Sequence, residues 1–167
     1  MKNLLLKLGA VASVSLIAAC GSTGTEVIET DTSLTTDANA GSSIQPGSIE
    51  DFQQTATNRV FFAFDQYNLT ATARDTLRQQ AAWLNQYPEV AIEIAGNCDE
   101  RGTREYNLAL GARRANAAKD FLVGLGVDPS RITTISYGKD RPIDPRSTEE
   151  AWALNRNSTT TITSLGS

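Results

Sequence analysis

The 167-residue chain contains no histidine. That absence excludes Ser-His-Asp and Cys-His catalysis and every histidine-ligated metal site. Cysteine is almost as scarce. Cys20 and Cys98 are too few for a disulfide framework or a thiolate zinc site, and no cofactor or metal is expected. Positive charge is not in excess either: 15 Lys and Arg stand against 19 Asp and Glu, a net charge of −4. A broad basic surface for nucleic acid is therefore excluded. The apolar stretch Leu8–Ala19 is too short to read as a membrane span.

What the chain does contain is segmented. Met1–Lys7 carries two lysines and no acid, and the apolar stretch that follows it is built of small residues. This is the layout of a secretory signal peptide, residues 1–19. It ends in Leu16-Ile17-Ala18-Ala19-Cys20, an order that resembles the bacterial lipobox, in which the cysteine is acylated and becomes the first mature residue. Ordinary cleavage nearby, with Cys20 a plain thiol, is the alternative. Several acyl chains on one cysteine anchor stably, whereas a single chain holds only marginally. Gly21 follows, where an aspartate often signals inner-membrane retention; its absence resembles an outer-membrane address, lipid-anchored and facing the periplasm. Loss of residues 1–19 removes Lys2 and Lys7 and leaves 13 basic against 19 acidic residues, a balance of −6.

From Gly21 to about Gln54 the chain is rich in Ser, Thr, Gly, Asp and Asn and has no sustained apolar period. Residues 20–54 read as the lipidated cysteine and a disordered, flexible linker. A coil of ~30 residues has a root-mean-square span of about 30 Å, and stretched out it reaches about 100 Å. That range suits a domain that must leave a membrane and find something nearby. A strand hidden around Glu26–Glu29 is the alternative.

Residues 55–167 carry the texture of a folded domain. Val60–Phe64 is a short apolar run consistent with a buried strand. Thr70 can cap a helix whose Ala73, Leu77, Ala81 and Leu84 recur at helical spacing until Pro88 stops it. Val90, Ile92 and Ile94 alternate along a second strand. Thr103 can cap a second helix, with Glu105 at its positive end and Leu108, Ala112, Ala115, Phe121, Leu122 and Leu125 as its buried stripe. Asp128–Ser130 suits a single turn, Ile132–Tyr137 a third strand and Thr148–Leu154 a short helix. The weak run Thr159–Thr163 makes a last strand, placed at a sheet edge because it has only Ile162 to bury. The order β-α-β-α-β-β is an α+β, two-layer sandwich, with helices packed on a mixed sheet.

The stretch that organises this domain runs from Gly96 to Arg114 and reads GNCDERGTREYNLALGARR. Charges of both signs crowd a strand-to-helix corner, where loops carry function more often than core. On an ideal helix Asn107, Leu110 and Arg114 share a stripe offset from the apolar face, so Arg114 need not be buried in the core. Asp99 can accept from an ammonium, and Arg114 can fork onto a carboxylate through two parallel hydrogen bonds. Backbone N–H groups at Gly102 and Thr103 could take a further carboxylate oxygen. Alternatively Asp99 and Arg114 pair with each other, or with Glu100, Arg101 and Arg113, as ordinary surface charges.

GNCDERGTREYNLALGARRANAAKDFL followed by VDPSRITTISYGKDRPIDP resembles the peptidoglycan-associated lipoproteins of Gram-negative bacteria, within the group that shares the C-terminal domain of outer-membrane protein A. The match covers about Val60–Arg156, and the lipobox and tether agree with it. The resemblance implies a non-enzymatic periplasmic domain that grips the peptidoglycan stem peptide through its diaminopimelate. It assigns that zwitterion to Asp99 and Arg114, with Asp65, Asn97, Cys98, Asn107 and Leu110 as pocket-lining candidates. It further implies a link between outer membrane and cell wall in envelope integrity and cell division, with a Tol-system periplasmic propeller protein as partner.

Three departures stand out. Asn97-Cys98 replaces His-Thr, Ala63 replaces an acid, and Asn157 replaces the second of two arginines. Asp65 remains, to support the pocket rim or to cap the following turn. The other readings are an envelope protein-interaction module and, less suited because Asp99 and Glu100 are adjacent in one loop, a cell-wall hydrolase.

Overall fold

The structure, a computed structural model, describes residues 44–165. The signal peptide, Cys20, the first part of the linker and the strand considered at Glu26–Glu29 lie outside the described residues. Four helices and four strands follow one another: α1 (Ile49–Thr55), β1 (Arg59–Phe61), α2 (Ala71–Gln86), β2 (Ala91–Asn97), α3 (Arg104–Gly124), β3 (Ile132–Gly138), α4 (Glu149–Asn155) and β4 (Asn157–Ser164). A single 3₁₀ turn, Pro129–Arg131, precedes β3. The sheet order is β1-β4-β2-β3. β2 and β3 are parallel, and β4 runs antiparallel to both β1 and β2. This is the α+β arrangement of helices on a mixed sheet that the sequence pattern implies.

Local chemistry sets the element ends. Thr70, Thr103 and Thr148 each accept a hydrogen bond from a backbone N–H three residues on, which satisfies a donor the helix start would otherwise orphan. At the end of α2 the Arg131 guanidinium donates to the carbonyls of Leu84, Tyr87 and Val90, tying the helix exit to the entry of β2. The core lies between the helices and the sheet. Leu77, Ala81 and Leu84 of α2 meet Ala115, Ala118 and Leu122 of α3 over Ile92, Ile94, Val60 and Ile132.

Three expectations are corrected here. The linker reading runs to Gln54, yet residues 49–55 form α1, which is part of the folded domain. Its Phe52 is buried edge-on against Trp83, with ring centroids 5.0 Å apart, and the Asp51 carboxylate accepts from Trp83 Nε1 at 3.0 Å. Burial of one phenylalanine, roughly 1.5–3 kcal/mol, docks a helix whose sequence has no apolar period.

β4 is the second correction. It is no edge strand, because β1 and β2 pair on either side of it. Two of its buried polar side chains find partners: Asn157 Nδ2 donates to the Leu154 carbonyl and its Oδ1 accepts from Asn97, while Thr160 donates to Gln80. The third concerns α3, whose inward stripe is Asn107, Leu110, Gly111, Arg114, Ala115, Ala118 and Leu122. That differs from the expected stripe of Leu108, Ala112, Ala115, Phe121, Leu122 and Leu125, and Arg114 is 0% exposed.

Two glycines explain how a helix carrying arginine on its inner face fits. A Cβ on Gly96 of β2 would lie 1.9 Å from the Gly111 carbonyl oxygen, and one on Gly111 would lie 2.3 Å from Ser136 Oγ. α3 therefore lies backbone to backbone on β2 and β3. One turn beyond this contact, Arg114 reaches the carboxyl end of β2.

Candidate functional site

β2 ends with a register shift at Gly96/Asn97, and Cys98 N–H then donates to the Gly138 carbonyl at 2.7 Å. The loop that follows is held from both sides. Asn107 Nδ2 donates to the carbonyls of Arg101 and Thr103, and Lys139 Nζ donates to those of Glu100 and Gly102. Gly102 adopts φ +90°, the left-handed region a side chain disfavours. The loop folds back over α3, and a cleft of about 170 Å³ opens between it, α3 and the turn after β1. Asp99, Arg114, Cys98, Asn107, Leu110 and Asp65 all line this cleft, together with Phe64, Arg101, Gly102 and Tyr106.

Asn97 does not. Its side-chain amide is turned to β4, donating to Asn157 Oδ1 at 2.9 Å and to the Ala95 carbonyl, and only its backbone carbonyl faces Arg114. The pocket-lining expectation for Asn97 is thus corrected. Its side chain serves the sheet interior, where the central position of β4 supplies its partner.

Arg114 is a buried cation held by neutral acceptors. Nε donates to the Gln66 carbonyl at 2.8 Å, Nη1 to the Asn97 carbonyl at 2.8 Å and to Cys98 Sγ at 3.4 Å, and Nη2 to the Ala63 carbonyl at 3.2 Å. Among the described residues it takes part in none of the ion pairs. Burial pushes its pKa down, with Cys98 and Asp99 opposing. A guanidinium has five N–H donors, and four of these are engaged. The expected two-pronged fork therefore has one N–H on Nη2 at its disposal, and a second prong requires an existing bond to yield.

Asp99 is in the opposite condition. It is 4% exposed and its carboxylate is surrounded by donors. Oδ1 accepts from the Arg101 backbone N–H at 3.1 Å and from Arg101 Nε at 3.2 Å; Oδ2 accepts from Arg101 Nη2 at 2.7 Å and Arg156 Nη1 at 3.3 Å. Burial by itself would raise its pKa, but the hydrogen bonds from Arg101 and Arg156 hold it below the usual carboxylate range. Asp99 is thus ionised and paired with arginines other than Arg114.

The rim is built from weaker parts. Asp65 sits at φ 58°, which an aspartate tolerates better than most side chains, and its carboxylate accepts from the Tyr106 hydroxyl. That bond raises the Tyr106 pKa. Cys98 donates to the Asn107 carbonyl at 3.4 Å; burial raises its thiol pKa, with the Arg114 charge opposing. Arg113 lies outside the cleft, over the Tyr67 ring. Three participants were not singled out from the sequence: Arg156, Phe64 and Tyr106. Arg156 carries a faint signal in the Asn155-Arg156 pair, whereas Phe64 reads as the end of an apolar run. Among the described residues no cluster of three His, Cys, Asp or Glu could hold a metal ion, and no helix is long and apolar enough to cross a membrane.

Comparison with known proteins gives a consistent picture. The profile of the OmpA family matches residues 61–156. The peptidoglycan-associated lipoprotein of Mesorhizobium japonicum is 47% identical over 158 residues, covering 95% of this chain and 92% of that protein. The crystal structure of the peptidoglycan-associated lipoprotein from Burkholderia pseudomallei superposes with a TM-score of 0.62 at 40% identity, over 63% of this chain and 89% of that one. The C-terminal domain of Helicobacter pylori MotB, at 21% identity and a TM-score of 0.60 over 64% of this chain and 84% of its own, shares the fold. By these matches the chain belongs to the OmpA family and, within it, to the peptidoglycan-associated lipoproteins of the cell envelope.

Proposed function

We propose that this domain binds peptidoglycan non-covalently by holding the diaminopimelate of a stem peptide in the cleft between Asp99 and Arg114. The observation that carries the reading is Arg114, a fully buried guanidinium on the cleft wall with no carboxylate partner among the described residues. Burying a cation costs several kcal/mol unless an anion approaches it. A carboxylate entering the cleft provides that anion, and its charge-assisted hydrogen bond to Nη2 is worth roughly 1.5–3 kcal/mol. The ammonium next to that carboxylate in diaminopimelate then faces Asp99, an ionised acceptor in the same cleft.

The reading extends to a lipid-anchored protein, acylated at Cys20, that links the outer membrane to the wall and works with a Tol-system propeller protein. Similarity to a lipoprotein over 95% of the chain supports this extension. A hydrolase reading is weaker, since Asp99 has its acceptor positions filled and Asp65 is committed to Tyr106.

The test is co-sedimentation of the detergent-solubilised full chain with purified sacculi. Arg114→Ala is expected to lose about 10- to 100-fold in affinity, the worth of one or two charge-assisted hydrogen bonds, and Asp99→Ala a comparable factor. Free diaminopimelate competes, and added salt weakens capture. Undiminished sedimentation of both variants removes the proposed site, and release of soluble muropeptides from the sacculi would revive the enzyme.

A further inference from the structure

The cation that occupies Asp99 belongs to the protein itself. Arg101 wraps the carboxylate with Nε at 3.2 Å and Nη2 at 2.7 Å, so both oxygens are taken. Two features separate this guanidinium from the other donor, Arg156. The Arg101 side chain is 33% exposed and lines the cleft, whereas that of Arg156 is 8% exposed and is also bonded to the Phe62 carbonyl and to Glu149. Arg101 also has a second place to go. Its Nη1 already lies 3.9 Å from Glu149 Oε2, and its guanidinium is 4.1 Å from the ring centroids of both Phe64 and Trp152. Such aromatic contacts hold a cation without consuming its N–H donors. Asp99, Arg101, Glu149 and Arg156 therefore form a closed ring of two acids and two bases, in which one member can shift between two acids.

We infer that Arg101 is a resident cation that a ligand's ammonium must displace from Asp99, moving onto Glu149 within the Phe64–Trp152 slot as the cleft fills. The inference rests on the reading of the cleft given above. It follows that the cleft selects zwitterions. A ligand carboxylate alone leaves Arg101 in place and gains Arg114 only, and an ammonium alone exchanges one ion pair for another with no net gain. Arg101 thus opposes capture, whereas a brace for Asp99 or a direct ligand contact would assist it.

The experiment measures the affinity of the full chain, in detergent, for the stem tetrapeptide L-alanyl-γ-D-glutamyl-meso-diaminopimelyl-D-alanine. Arg101→Gln is expected to bind about fivefold more tightly than the parent, the factor that corresponds to a half-exposed ion pair. Glu149→Gln, which removes the second acid, is expected to weaken binding in the parent and to have no effect in the Arg101→Gln background. By NMR, the Arg101 Nε–H signal shifts on peptide addition while that of Arg156 stays, a readout that needs no variant. Weaker or unchanged binding by Arg101→Gln, with a stationary Nε–H signal, overturns the displacement even where Arg114→Ala abolishes capture and the site itself stands. Equal binding by parent and Arg114→Ala sinks the site reading first.

Discussion

The contact between Gly96 and Gly111 permits a graded test of how α3 is held. At Gly96 an added methyl meets the Gly111 carbonyl oxygen at 1.9 Å and its carbon at 2.6 Å, both backbone atoms that cannot rotate away. Restoring an ordinary separation of roughly 3.5 Å lifts α3 from the sheet by about 1.5 Å. At Gly111 the nearest atom is Ser136 Oγ at 2.3 Å, with the Gly96 carbonyl at 2.8 Å. Ser136 can turn, but doing so breaks its hydrogen bond to the Leu108 carbonyl. Overpacking costs about 1–3 kcal/mol and the lost hydrogen bond about 1 kcal/mol. Gly111→Ala is therefore expected to destabilise by about 3 kcal/mol and Gly96→Ala by more.

Gly124, in the last turn of the same helix, has no atom within 4 Å of its added methyl. Gly124→Ala should stabilise by about 0.5–1 kcal/mol through helix propensity alone. In thermal unfolding of the full chain, followed by circular dichroism, a shift of roughly 4 °C per kcal/mol places Gly111→Ala about 12 °C below the parent. Gly124→Ala should melt a few degrees above it. A Gly96→Ala variant that melts with the parent, or a Gly124→Ala variant that melts below it, refutes the reasoning.

Phe52→Ala should destabilise the domain by about 3–5 kcal/mol, because α1 docks through that ring. A melting temperature within a degree of the parent would return residues 49–55 to the linker. The Asp99 pKa, depressed in the folded state, makes a stabilising contribution that is fully present above the ordinary carboxylate value of about 3.9 and is lost as pH falls through the folded value. The melting-temperature gap between parent and Asp99→Asn should therefore narrow as pH is lowered from 6 to 3, and a constant gap contradicts the pairing with Arg101 and Arg156.

The caps at Thr70 and Thr103 were legible because each is a contract between residues three apart. The alternating Val90, Ile92 and Ile94 were legible for the same local reason. α1 was not, since a lone Phe52 among polar residues has no period, and its docking depends on Trp83 thirty-one positions on. β4 reads as weak because Ser and Thr carry little apolar surface; its place between β1 and β2 is set by partners remote in sequence. On α3 the helical wheel set the stripe of Asn107, Leu110 and Arg114 apart from the apolar face. In the structure the donors of Asn107 and Arg114 meet backbone carbonyls, which lets polar groups occupy the inner face. The charge pattern marked the corner, but the fold-back that brings Asp99 into a cleft with Arg114 was not legible, and of the two arginines on Asp99 one, Arg156, is 57 positions away in sequence.

The position of β4 also governs how the domain comes into being. Arg59 pairs with Thr159 across a hundred residues, and until that pairing exists β1 has no neighbour on the sheet. A chain emerging amino end first must wait for its tail before the two halves can be sewn together, which slows closure. A stop codon just ahead of Asn157 would remove the seam, leaving β1 with no sheet partner and β2 with one bare edge, so loss of this one strand should abolish the native state rather than trim its margin.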